Sequence, residues 1–110
     1  MRPINIREYG LYLERTMIST APCLKTEYDK NPEKPIDQLV ENIFETFKER
    51  VTKDYAERQE LMLNPDGYKE KLELYLSLAE DYFKRAGEAL RRQIAELQRE
   101  AAPPNPSQKA

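Results

Sequence analysis

Histidine is absent from all 110 residues, and that gap closes most routes to catalysis. Without an imidazole there is no Ser-His or Cys-His nucleophilic pair, no histidine-bound metal, and no Glu-x-x-His pattern of the kind that builds di-iron sites inside helical bundles. Glycine is scarce as well, with three in the chain. None of them belongs to a Walker or dinucleotide phosphate loop. The expectation is a protein with no enzymatic activity and no metal or other cofactor.

Cysteine occurs once, at Cys23. One thiol forms no internal disulfide, which suits a reducing cytoplasm. Lys25 is the sole cation close to it in sequence, so Cys23 reads as a small apolar contact and not as an activated nucleophile. Long hydrophobic runs are missing too. No stretch approaches the ~18 apolar residues of a membrane span. Arg2, Arg7, Glu8, Glu14 and Arg15 interrupt any signal-peptide core. A soluble, cytoplasmic protein without a membrane segment is expected. Charge of one sign is also lacking: charged residues make up 35% of the chain, yet the net charge is −2. A dedicated nucleic-acid binder shows a basic excess instead.

What is present is helical periodicity. Asn5 precedes a first segment, residues 6–19, as an N-cap with Glu8 three positions on, and Ile6, Tyr9, Leu13 and Met17 share a face. A strand reading competes here, because Ile4/Ile6 and Leu11/Leu13 alternate around Gly10. Residues 21–35 hold three prolines and a charged middle, and read as a long surface connection. From Pro35, taken as the first helical position, Ile36, Val40, Ile43, Phe44, Phe47, Val51, Tyr55 and Met62 follow at helical spacing up to about residue 63. The stretch Asn64, Pro65, Asp66, Gly67 marks a tight turn. A last helix then runs to about residue 102, with Leu76, Phe83, Leu90 and Leu97 seven apart and Leu72, Ala79 and Ala86 between them. Acid-to-base pairs four apart, Glu80/Lys84, Asp81/Arg85 and Glu88/Arg92, support that helix.

The expected fold is therefore all-α: a long antiparallel helical hairpin (about 35–63 and 67–102) with a shorter N-terminal helix. Residues 1–102 form one domain and 103–110 a disordered tail. A turn at 64–67 sets Phe44 opposite Gly87. Ala79, Ala86 and Gly87 then make a shallow trough filled by the Phe44 ring, with Phe47 near Phe83 and Val40 near Leu90 completing the seam. A row of tyrosines, Tyr68, Tyr75 and Tyr82, stands beside that seam, and Leu97 and Ala101 extend past the hairpin partner. Their apolar surface exceeds what a short first helix covers, so the chain is expected to pair with a second copy as a dimeric bundle, or to dock another protein. Asp54 and Arg58, one turn apart near the apolar face, are candidates for fixing helix register. The functional expectation is a non-catalytic protein–protein interaction module: an adaptor, assembly factor or regulatory subunit. The alternative is a nucleic-acid-associated regulator using the basic doublets Lys84/Arg85 and Arg91/Arg92.

Overall fold

The computed structural model describes residues 5–62 and 65–101. Among these the structure is helical, with no strand: α1 (Ile6–Thr20), α2 (Cys23–Lys30), α3 (Ile36–Arg58), a 3₁₀ turn (Gln59–Leu61) and α4 (Pro65–Ala101). The expected tail at 103–110, and Leu63 and Asn64 of the expected turn, lie outside the described residues. At the N-terminus the helical reading prevails over the strand. The Asn5 side chain accepts a hydrogen bond from the Glu8 backbone N–H at 2.8 Å, which satisfies one of the free donors of the first turn. With a 3.6-residue period, Tyr9, Leu13 and Met17 turn inward while Ile6, Leu11 and Ile18 stay exposed.

The segment 21–35 differs from expectation. It is not an irregular connection, because α2 occupies its centre. The prolines flank this helix and do not interrupt it: Pro22 stands at its N-cap, and Pro32 and Pro35 come after its end. Between them Leu24 is buried, Tyr28 packs beside the core one turn later, and Lys25 pairs with Asp29 on the outer side at 2.7 Å. Proline is compatible with a helix start, where its missing N–H has no partner to lose. Pro35 likewise stands just before α3, not within it, and its carbonyl accepts from the Gln38 and Leu39 N–H groups.

The two long helices meet along most of α3. Asp37 pairs with Arg91, Val40 lies against Gly87, Phe47 meets Phe83 edge-on at 5.6 Å, and the Tyr55 hydroxyl donates to the Pro65 carbonyl at 3.0 Å. The residue facing Gly87 is Val40 and not Phe44, about one helical turn from the expected register. The Phe47/Phe83 pair, nearer the break, sits as expected, although the break itself differs: α3 stops at Arg58, the 3₁₀ turn takes the next three residues, and α4 begins at Pro65 and not at Gly67. Phe47, Ala79, Phe83 and Leu90 are buried, while Phe44 and Ala86 are partly buried against the core.

Gly87 is required by close approach. Its backbone is not left-handed, but a Cβ built on it would stand 2.6 Å from Val40 Cγ2 and 3.4 Å from Ile36 Cγ2. Val40 is β-branched and has little freedom to turn aside within a helix. Overpacking of this kind costs about 1–3 kcal/mol, against about 1 kcal/mol of helix propensity gained. Gly87→Ala should therefore lower the free energy of urea unfolding, and Val40→Ala should cost less in that background than in wild type. Strict additivity of the two changes would contradict the contact. Gly10→Ala should have the opposite sign. There the added Cβ meets only the flexible end of Lys71, at 3.4 Å or more, so a gain of about 0.5–1 kcal/mol is expected.

Candidate interaction surfaces

The tyrosine row is largely covered by the chain's own N-terminal arm. Tyr68 is 3% exposed, and its ring lies 5.5 Å from that of Tyr9 on α1. Tyr75 and Tyr82 are half-buried against the core. Further along, Ile18, Ala21, Pro22 and Leu24 line one shallow depression together with Tyr82, Ala86 and Leu90. Covering the row with one short helix looked insufficient because α2 was read as loop. Counted together, α1 and α2 supply 15 and 8 helical residues, about 35 Å of helix at 1.5 Å per residue.

Where α1 meets the end of α3, the packing is polar as well as apolar. Arg58 Nε donates to Asp54 Oδ1 at 2.7 Å, and its guanidinium carbon lies 4.8 Å from the centre of the Tyr12 ring. The Asp54/Arg58 pair is thus turned toward α1, not toward the α3/α4 seam. Tyr9 stacks beside Tyr12 with its hydroxyl fully buried, and neither Tyr9 Oη nor Asp54 Oδ2 meets a hydrogen-bonding partner among the described residues. Burial holds the Tyr9 hydroxyl well above the ordinary tyrosine pKa. The Asp54 charge adds to this, as do Tyr12 and Tyr55 to a lesser extent, and Arg58 opposes it. Tyr9 was placed on the inner face by its spacing, but nothing in the sequence marks it as the contact that buries Tyr68.

Other residues singled out by the sequence fall on the surface. Cys23 is free and exposed. The apolar contact belongs to its neighbour Leu24, and Lys25 is engaged by Asp29. In the basic doublets Lys84 pairs with Glu80, Arg85 with Asp81 and Arg91 with Asp37, which leaves Arg92 without an acidic partner among the described residues. Glu88 does not pair with Arg92 as its spacing suggested. It lines a groove of about 560 Å³ between α3 and α4, with Phe44 and Val40 on the apolar lining. Beyond Arg91 the last helix runs past the start of α3. Ile94 is partly covered, residues 95–100 are all exposed, and Leu97 is 60% exposed. No helix among the described residues is long and apolar enough to cross a membrane, and no three acidic or cysteine side chains among them are grouped to hold a metal ion.

The buried, unpartnered Tyr9 hydroxyl gives a direct test of this packing. A buried polar group without a partner costs about 1–3 kcal/mol, so Tyr9→Phe should unfold at equal or higher urea concentration than wild type. The pH response should differ as well. Above pH about 10 the unfolded chain ionises Tyr9 while the fold holds it protonated, so stability falls as pH rises. Tyr9→Phe should lose less stability between neutral pH and pH ~11. A Tyr9→Phe protein that is markedly less stable at neutral pH would show that the hydroxyl has a partner. Against known proteins the comparison is empty: no family model matches the chain, and neither curated proteins nor solved structures show a match.

Proposed function

We propose that the chain is a cytoplasmic, non-catalytic protein–protein interaction module. In this reading α3 and α4 form an antiparallel hairpin, the N-terminal arm seals one side of it, and the distal part of α4 pairs with a second copy. The observation that carries the proposal is the apolar stripe of α4. Leu90 is 5% exposed and Leu97 is 60% exposed, yet both lie on the same line of the helix, with Ile94 between them and Ala101 four residues further on. The stripe that faces the bundle thus continues past α3, and a helix face of this kind is stable in water only when something covers it. A second copy brings an identical stripe, so a two-fold contact matches apolar to apolar with no further partner.

The tyrosines play a smaller part in this contact than their spacing suggested. Tyr68 is already buried, and Tyr75 and Tyr82 offer only their exposed edges. Leu74 and Leu78, one turn apart and about half exposed at 52% and 46%, add apolar surface elsewhere on α4. A nucleic-acid role finds little support, because three of the four cations in the basic doublets are engaged by carboxylates. The free, exposed Cys23 thiol suits a reducing compartment.

Sedimentation of the full chain at micromolar concentration should give twice the monomer mass. Leu97→Glu should shift it to monomer while far-UV circular dichroism keeps its helical signal at neutral pH, since Leu97 contributes little to the fold of one copy. A wild-type chain that sediments as a monomer throughout the micromolar range would reject the pairing.

A further inference from the structure

The groove between α3 and α4 has a composition that the fold does not explain. Asp37, Glu41 and Glu45 line it from α3, and Glu80, Lys84, Glu88 and Arg91 line it from α4. Arg91 neutralises Asp37, and Lys84 approaches Glu80 at 3.4 Å. Among the described residues Glu41, Glu45 and Glu88 have no ion-pair partner, and they stand around the open edge of Phe44, a ring partly buried against the core, and the Val40 side chain. Three free carboxylates around an aromatic ring place an apolar anchor inside a negative field.

The spacing sharpens the point. Asp37, Glu41 and Glu45 follow one another every four residues, so each adjoins a like charge on the helix surface. Such pairs are unfavourable by about 0.2–0.5 kcal/mol each. Across the groove on α4, by contrast, Glu80 and its neighbour Asp81 are each followed four residues on by a base. A divalent cation does not account for the arrangement, because no three of these side chains are grouped to hold one. The distal part of α4 in a second copy is a poor match in charge, since residues 92–101 carry Arg92 and Arg99 against Glu96 and Glu100.

We propose that this groove docks a cationic amphipathic helix of another protein, one that sets an apolar side chain on Phe44 and directs Lys or Arg toward Glu41, Glu45 and Glu88. The groove runs from Asp37 to Glu45 on α3 and from Glu80 to Arg91 on α4, a length of roughly 12–16 Å that accommodates two to three turns of a bound helix. Charge complementarity of this kind orients the partner and speeds encounter, while the aromatic anchor supplies the apolar contact. The inference rests on the reading of the chain as an interaction module, but it does not require the chain to dimerise.

The test uses the full chain and a synthetic amphipathic peptide of leucine and lysine, about fourteen residues or four helical turns long, carrying a fluorescent label. Two control peptides replace lysine by glutamate or leucine by serine. Amide resonances of residues 37–45 and 80–91 should shift on titration with the leucine–lysine peptide, and both controls should bind at least tenfold more weakly. Glu41→Lys combined with Glu45→Lys should weaken binding at least tenfold. Glu49→Lys combined with Glu57→Lys, an equal charge change elsewhere on α3, should weaken it less than threefold. Phe44→Ser should weaken binding without loss of helical signal. Resonance shifts centred elsewhere, or equal losses from both charge reversals, would overturn the groove assignment. Equal binding of the serine control would show a purely electrostatic contact and overturn the role of Phe44. Sedimentation of the same variants separates this proposal from the pairing: a monomer that binds the peptide in the groove sinks only the dimer, and a dimer without groove binding sinks only the groove.

Discussion

The close approach of Val40 to Gly87 is the constraint on which the rest of the molecule depends. With no side chain on Gly87, the methyls of Val40 and Ile36 reach the backbone of α4. That contact, with the Phe47/Phe83 edge-on pair two turns further along α3, sets the register between the long helices. Three consequences follow from the register. Phe44 is displaced from the seam into the groove, Asp37 is brought to Arg91, and the part of α4 after Arg91 has no counterpart on α3. An alanine at position 87 would press on a side chain that cannot turn aside, so the glycine selects this register over neighbouring ones as well as permitting it.

The N-terminal arm then decides which apolar surface is left over. By burying Tyr68 under Tyr9 and half-covering Tyr75 and Tyr82, α1 and α2 remove most of the aromatic row from solvent. They do so with polar groups inside the contact: Asp54, Arg58 and the Tyr9 hydroxyl lie where α1 crosses the end of α3. An apolar contact alone would let α1 slide along α3 and α4. The Arg58 guanidinium over the Tyr12 ring, held from below by Asp54, favours one position. The register role expected for the Asp54/Arg58 pair therefore concerns α1 and not the seam of the two long helices.

The all-α class, the inner faces of α1, α3 and α4, and the special status of Gly87 were legible in the sequence, because each rests on periodicity or on a residue type with one plain physical use. α2 was not legible. Three prolines in residues 21–35 outweighed the one-turn spacing of Leu24 and Tyr28, although prolines placed at helix edges carry no penalty. The end of α3 was not legible either: Pro65 and Gly67 mark a break, whereas α3 ends earlier, at Arg58, with no proline or glycine to mark it. Glu88 was assigned to Arg92 by spacing alone, and spacing does not show what lies across a groove.

The groove had a sequence signal of its own, in Asp37, Glu41 and Glu45 at four-residue intervals with no base among them. Helix dipole effects explain only the first. Asp37 lies in the first turn of α3, where a negative charge is favoured, while that benefit has faded by Glu41 and Glu45. Lysine or glutamine at either position would serve helix propensity as well and would relieve the repulsion. Solubility does not require acids there either, since the outer face of α3 already carries Lys48, Glu49, Arg50 and Lys53. What distinguishes the two positions is their place on either side of Phe44, a ring that packs partly against the core and lines the groove with its open edge. Phe44 packs partly against the core, yet its open edge lies beside unneutralised carboxylates. In the proposed complex an apolar side chain covers that edge and a cation reaches each carboxylate, which gives both acids a use that the fold alone does not.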